Sequence, residues 1–186
     1  MRYVSKFLLG IYLFFLLWLI LFKLSFNLPQ FLTYSYSNVN LVPFSTFSFE
    51  NTTVLRETTY NLIVFFPFEN TTVLRETTYN LIVFFPFGVL LNVNFKRLSF
   101  SKKLGIIFLV SFLAELIQFL FGIGVADITD LITNTTGGLI GLWAYQLLNK
   151  HLSTNKLDRL AIILGYILFL FLIVAFLFLT RTVRLQ

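Results

Sequence analysis

Long apolar runs separated by polar segments dominate the chain. The first run, Phe7 to Phe22, lies between Lys6 and Lys23 and is followed by no small-residue cleavage pattern, so it predicts an uncleaved membrane-spanning helix. Later runs predict four more spans, which places the five at about 7–24, 80–93, 104–121, 128–148 and 160–180. The pattern therefore predicts an all-α membrane protein, a bundle of about five transmembrane helices in one domain, 1–186.

The second span is the least regular of the five. The run 80–93 is shorter than the roughly 20 residues that a spanning helix needs. It also contains Pro86, which has no backbone N–H to donate and predicts either a kink or a nearby helix start.

An exact internal repeat precedes this span. The nineteen residues Phe49–Pro67 recur unchanged as Phe68–Pro86. The first copy runs into Glu69, whereas the second runs into the apolar segment that starts at Gly88. We therefore expect the second copy to enter the membrane and the first to extend the long polar loop between spans one and two. In an alternative interpretation, residues 62–68 of the first copy form a re-entrant segment.

Composition and charge support a membrane location. The chain is 58% hydrophobic and 12% charged, against about 25% charged residues in soluble domains. Its net charge of +6 comes from basic residues that flank the spans rather than from a continuous patch, so nucleic acid is not predicted as a partner. An inside N-terminus is favoured, because it puts nine of the Lys and Arg residues on the inner side. The long loop and the turn between spans three and four are then external. The nine inner residues are Arg2, Lys6, Lys96, Arg97, Lys102, Lys103, Lys150, Lys156 and Arg159.

Polar residues inside the apolar runs are the candidate functional residues. Glu115 and Gln118 lie in the third span, and Asp127, Asp130 and Asn134 open the fourth. Residues spaced by three and by seven share one face of a helix, so the two polar faces are expected to converge across a short turn. A carboxylate within a span costs a few kcal/mol, which makes it a functional candidate. Packing of Glu115 and helix capping by the aspartates remain the structural alternatives.

Other chemistry is poorly represented in the sequence. The glycines Gly137, Gly138 and Gly141 are typical of close helix packing, because two of them stand in the G-x-x-x-G relation. There is no cysteine and a single histidine, His151, and no phosphate-binding or dinucleotide-binding motif. We therefore predict neither a metal site nor a cofactor. The residues leave open whether the carboxylates act as acid and base.

Taken together, the motifs resemble the VanZ family. The resemblance rests on ELIQ at 115–118, on DITDLITNTTGGLIG at 127–141, and on two upstream pieces, NLVPF at 40–44 and NLIVFFPFG at 80–88. It covers about residues 1–148 and departs from the family pattern in the nineteen-residue repeat. It also identifies Asn80, Pro86 and Gly88 as a motif of the second span.

The resemblance implies a small integral protein of the bacterial plasma membrane that is associated with resistance to teicoplanin and related lipoglycopeptides. The expected partners are the lipid bilayer and either such an antibiotic or a cell-envelope precursor. Two other hypotheses remain open, namely a membrane enzyme that acts on a lipid-linked envelope precursor and a non-catalytic membrane scaffold.

Overall fold

Five helices and two short strands make up the part of the chain that the computed structural model describes, which is residues 2–22, 38–41, 43, 72–121 and 125–183. In chain order the elements are α1 (Arg2–Phe22), β1 (Asn38–Asn40), α2 (Thr72–Asn94), α3 (Phe100–Phe121), β2 (Val125–Asp127), α4 (Ile128–His151) and α5 (Thr154–Val183). Helices account for 89% of the described residues, so the helical class is confirmed.

Three of the described helical segments are long and apolar enough to cross a membrane. They are Tyr3–Leu21, Glu76–Asn94 and Phe100–Phe121. The first repeat copy, its re-entrant alternative and most of the long loop lie outside the described residues.

Two expectations from the sequence need correction. Helix α2 begins at Thr72, not at about residue 80, because no glycine or proline interrupts the chain between Thr72 and Phe85. The all-α prediction also missed a parallel pair of strands, in which Asn38, Val39 and Asn40 lie opposite Val125, Ala126 and Asp127. Three-residue strands carry too little alternation to be visible in a sequence.

Helices α2 and α4 form the most extensive contact of the bundle. They run parallel, and glycines bring their backbones together. A methyl group added at Gly141 would lie 2.0 Å from the Phe85 carbonyl oxygen, and one added at Gly88 would lie 2.1 Å from the Gly138 carbonyl oxygen. Both positions therefore require glycine at this helix separation. Gly137 meets the backbone of Leu81 in the same way.

Pro86 lies inside α2 rather than at its start. Its ring leaves the carbonyl of Ile82 without the usual intrahelical N–H donor and disturbs the preceding turn. In that turn, the Tyr12 hydroxyl of α1 donates to the Val83 carbonyl oxygen at 2.6 Å. A neighbouring helix thus supplies a donor where the proline weakens the helix, which is how apolar surroundings tolerate proline.

The remaining helices pack around this pair in alternating directions. Helix α3 runs antiparallel to α4, with Ile107 against Gly138, and α1 and α5 lie side by side, with Leu8 against Gly165. The buried core therefore runs the length of the bundle. Polar side chains gather at its two ends.

Candidate functional site

The parallel ribbon fixes one end of the bundle. Strand β1 comes from the long connection between α1 and α2, and β2 leads directly into α4. Their register places Asn40 beside Asp127. The side-chain amide of Asn40 donates to Asp127 Oδ2 at 3.0 Å. The connection is thus attached to the start of α4 by backbone pairing and by a side-chain bond.

Asp127 caps helix α4. Its backbone is extended, with φ −120° and ψ 125°, and its Oδ1 accepts from the Thr129 N–H at 2.7 Å. It therefore lies just before the helix, not on the helical face that it was expected to share with Asp130 and Asn134. Helix starts favour an acidic cap because four backbone N–H groups there lack intrahelical acceptors.

Glu115 of α3 completes the same helix start. Its Oε2 accepts from the Asp127 N–H at 2.9 Å, although the side chain is only 6% exposed. In a capping box the third residue of the helix performs this task. That residue here is Asp130, whose carboxylate is directed elsewhere. An acid from a different helix therefore takes its place and ties α3 to α4.

Asp130 and Asn80 join α4 to α2. The Asn80 side-chain amide donates to Asp130 Oδ1 at 2.8 Å and to the Thr133 hydroxyl at 3.1 Å. Thr133 in turn donates to the Thr129 carbonyl oxygen at 2.9 Å. Asp130 is 7% exposed, so the bond from Asn80 stabilises a largely buried carboxylate.

Asn134 and Gln118 are fully buried but contact different neighbours. The Asn134 amide donates to the Ser111 hydroxyl of α3 at 3.0 Å. The Gln118 amide donates to the Ile20 carbonyl oxygen of α1 at 2.9 Å. Neither Asn134 Oδ1 nor Gln118 Oε1 has a hydrogen-bond donor in contact. Two buried acceptors, one helical turn from Glu115 and from Asp130, are thus left unused.

The side chains that converge at this end form what we call the polar cluster: Asn40, Asn80, Glu115, Asp127, Asp130 and Thr133. The structure brings Glu115, Asp127 and Asp130 to one end of the bundle, together with Asn80 of the second span. Gln118 lies one turn from Glu115 but connects to α1, and Asn134 connects to α3 one turn below Asp130. Pro86 and Gly88 lie deeper in the α2–α4 contact.

Two members of the cluster, Asn40 and Thr133, were not among the predicted site residues. Asn40 belongs to the NLVPF piece that carries the family resemblance, which was its only signal in the sequence. Thr133 lies within the DITDLITNTTGGLIG piece of the same resemblance but was not selected from it, because a threonine on a helix usually bonds its own backbone, as this one also does.

The hydrogen bonds of the three carboxylates hold elements of the fold together, which is a structural role and not one in breaking bonds. Both oxygens of Asp127 accept hydrogen bonds from groups that hold the fold, and Glu115 and Asp130 each bind a neighbouring element. Within the described residues, no three His, Cys, Asp or Glu side chains are grouped so that they could hold a metal ion.

Comparison with known proteins gives a consistent picture. The sequence model of the VanZ/LLP1 family matches residues 9–149, a range that contains the whole polar cluster. The chain is 40% identical over 173 residues to "Protein VanZ" of Enterococcus faecium, which covers 93% of this chain and 92% of that protein. No solved structure matches the chain.

Proposed function

Because the chain belongs to the VanZ/LLP1 family, we propose that it is a multi-pass protein of the bacterial plasma membrane that lowers susceptibility to teicoplanin-class lipoglycopeptides. The observation that carries this proposal is the match to the family over residues 9–149, with relatedness to Protein VanZ along nearly the full length. The polar cluster is the proposed site of action, at the outer face.

In this proposal all five helices cross the membrane. Helix α4 falls below the hydropathy of the other spans because its polar side chains, Thr129, Asp130, Thr133 and Asn134, are buried inside the bundle. Its outward residues are largely apolar, with Ile132, Ile140 and Trp143 among those exposed. A helix of this kind satisfies its polar groups against neighbouring helices and presents an apolar face to lipid. Its 24 residues also suffice in length.

The orientation follows from charge. The turns between α2 and α3 and between α4 and α5, with the helix ends that flank them, carry seven of the fourteen basic residues, whereas the polar cluster carries carboxylates. The inner side of a bacterial membrane retains Lys and Arg. The cluster and the β1–β2 ribbon therefore face outward, where a lipoglycopeptide meets the cell.

Binding is a better description of this site than catalysis. Each of the three carboxylates is held by a hydrogen bond from another part of the fold. Asp127 binds the ribbon and the start of α4, Glu115 binds the Asp127 N–H, and Asp130 binds Asn80. The unused buried acceptors Gln118 Oε1 and Asn134 Oδ1 lie one helical turn from this cluster and cost about 1–3 kcal/mol each, a penalty that packing selected only for stability would avoid. We infer a preorganised polar surface that engages an envelope component or the antibiotic.

Two measurements test the proposal. Expression in a teicoplanin-sensitive host should raise the inhibitory concentration of teicoplanin relative to an empty vector at verified membrane levels. Because the chain has no native cysteine, Leu41→Cys can be labelled alone with a membrane-impermeant maleimide on intact cells. Labelling only after lysis would contradict the outward orientation, and unchanged susceptibility would contradict the antibiotic function.

A further inference from the structure

The end of the bundle opposite the polar cluster contains a second group of interacting polar residues. The turn after α2 and the turn after α4 meet there, because Lys96 Nζ lies 2.6 Å from Asp158 Oδ1 of α5. The Tyr145 hydroxyl of α4 donates to the same carboxylate oxygen at 2.5 Å, and Lys96 also contacts this hydroxyl. These three side chains hold α2, α4 and α5 together.

This network engages the carboxylate of Asp158, which carries the negative charge at this end. Of the carboxylates that the structure describes, Asp158 is the only one at this end, since Glu76, Glu115, Asp127 and Asp130 belong to the opposite half of the bundle. Lys96 neutralises Asp158.

Lys103 is also engaged. It is buried and donates to Asn92 Oδ1 at 2.7 Å, and Asn92 bonds the Leu142 carbonyl oxygen. Neither Lys96 nor Lys103 is therefore free to meet a partner.

Five cationic side chains remain exposed around the joined turns, and we call them the basic rim: Arg97, Lys102, Lys150, Lys156 and Arg159. No described carboxylate offsets them, because the only one nearby is bonded to Lys96 and Tyr145. A surface of one sign attracts the opposite charge over a distance of about one Debye length, roughly 8–10 Å.

The position of the rim identifies its partner. The apolar segment of α2 ends at Asn94 and that of α3 begins at Phe100, so the rim lies where two spanning segments leave the apolar layer. That level of a bilayer holds phosphate headgroups, and the apolar stems of Lys and Arg extend along it. We propose that the basic rim is a binding surface for anionic glycerophospholipids such as phosphatidylglycerol. This inference rests on the membrane location in the proposed function, but it does not depend on the antibiotic activity.

Orientation alone does not require such a surface. Basic loops orient a chain during insertion whatever their arrangement afterwards. The rim differs because the Lys96–Asp158 bond joins the turn after α2 to the start of α5 and leaves five exposed cations at one end of the folded bundle. The folded protein should therefore prefer anionic over zwitterionic lipid in detergent, where orientation has no meaning.

The test is native mass spectrometry of the full chain in detergent with equimolar phosphatidylglycerol and phosphatidylcholine. Wild type should retain phosphatidylglycerol preferentially. The double variant Lys102→Gln/Lys156→Gln should reduce the ratio by about fivefold for each charge removed. The matched control Lys102→Arg/Lys156→Arg keeps the charge and should keep the ratio. Rising ionic strength should weaken the preference of the wild type.

Three results would overturn the proposal. The first is equal retention of the two lipids by the wild type, and the second is full preference for phosphatidylglycerol in the glutamine variant. Displacement of phosphatidylglycerol by inorganic phosphate alone would indicate a phosphate pocket instead of a lipid surface. Helical content measured by circular dichroism shows whether each variant is folded. Since no readout involves teicoplanin, failure here is distinct from failure of the proposed function.

Discussion

The backbone N–H of Asp127 donates to Glu115 Oε2 at 2.9 Å, so an acid on α3 completes the start of α4. This one bond links α3, which carries Glu115, to the start of α4, which carries Asp130 and Thr133. It also explains why a carboxylate is retained in an apolar helix, since its partner is an otherwise unsatisfied backbone donor.

We expect Glu115→Ala to destabilise the bundle by about 1–3 kcal/mol, because it leaves the Asp127 N–H without an acceptor. Glu115→Gln keeps an acceptor oxygen and should cost clearly less. The free energy of unfolding in mixed micelles, followed by circular dichroism, measures both. Equal losses for the alanine and glutamine variants would mean that the bond contributes nothing of its own.

The register of the ribbon is open to direct test. Val39 lies opposite Ala126, and strand partners are close enough for a disulfide. In this cysteine-free chain, Val39→Cys/Ala126→Cys should oxidise readily and change mobility on a non-reducing gel. Leu41→Cys/Ala126→Cys, two residues out of register, is the control and should oxidise poorly. Similar yields for the two pairs would argue against the ribbon.

Gly88 sets the distance between α2 and α4. Gly88→Ala should destabilise the bundle by about 2 kcal/mol, because the new methyl group would overlap the Gly138 carbonyl oxygen. Gly105 has no atom within 4 Å of an added methyl group, so Gly105→Ala is the matched control. Thermal unfolding in detergent compares them. If both variants melt together with the wild type, the close approach is absent.

The same contact explains why only one repeat copy fits as α2. Position 88 corresponds in the first copy to Glu69, and a glutamate at position 88 would have no room beside the Gly138 backbone. Gly88→Glu should therefore abolish folding, and deletion of residues 49–67 should leave a folded bundle. Yield and elution of the detergent-solubilised protein report both. A folded Gly88→Glu protein would show that the register of α2 is not fixed here.

Tyr12 supports α2 at its proline. Tyr12→Phe should cost about 0.5–2 kcal/mol, the range measured for hydrogen bonds between membrane helices. The cost should shrink in a Pro86→Ala background, because the restored N–H bonds the Ile82 carbonyl and regularises the turn that contains the Val83 carbonyl. A double-mutant cycle on unfolding free energies gives the coupling between the two positions. A coupling free energy of zero would show that the bond from the Tyr12 hydroxyl does not depend on Pro86.

The sequence was informative where apolar runs and helix caps define an element. Helix α4 starts at Ile128 as predicted, because Asp127 is a strong cap before a long apolar run. The predicted start of α2 was wrong because Thr72–Tyr79 is polar yet contains no residue that ends a helix. Apolar content marks the part of a helix inside the membrane, not the whole helix.

The polar cluster could be predicted only in part. Spacing drew attention to Glu115, Asp127 and Asp130, which come from neighbouring elements. The partnership of Asn40 with Asp127 joins residues 87 positions apart, and no local pattern encodes such a pair. The direction of Gln118 toward α1 likewise depends on which helices become neighbours. Residue spacing shows which side chains share one face of a helix, whereas their hydrogen-bond partners depend on how the helices pack.

The most direct test of the account is binding of fluorescent teicoplanin to cells that express wild type, Asp127→Asn/Asp130→Asn or Asp158→Asn at matched membrane levels. Asp158 lies at the opposite end and controls for loss of an acidic side chain. We expect reduced teicoplanin binding to cells that express wild type or Asp158→Asn, and binding restored to the empty-vector level with the double variant. Wild-type behaviour of the double variant, or no effect of the wild type itself, would contradict the claim that the polar cluster acts on the response to lipoglycopeptides.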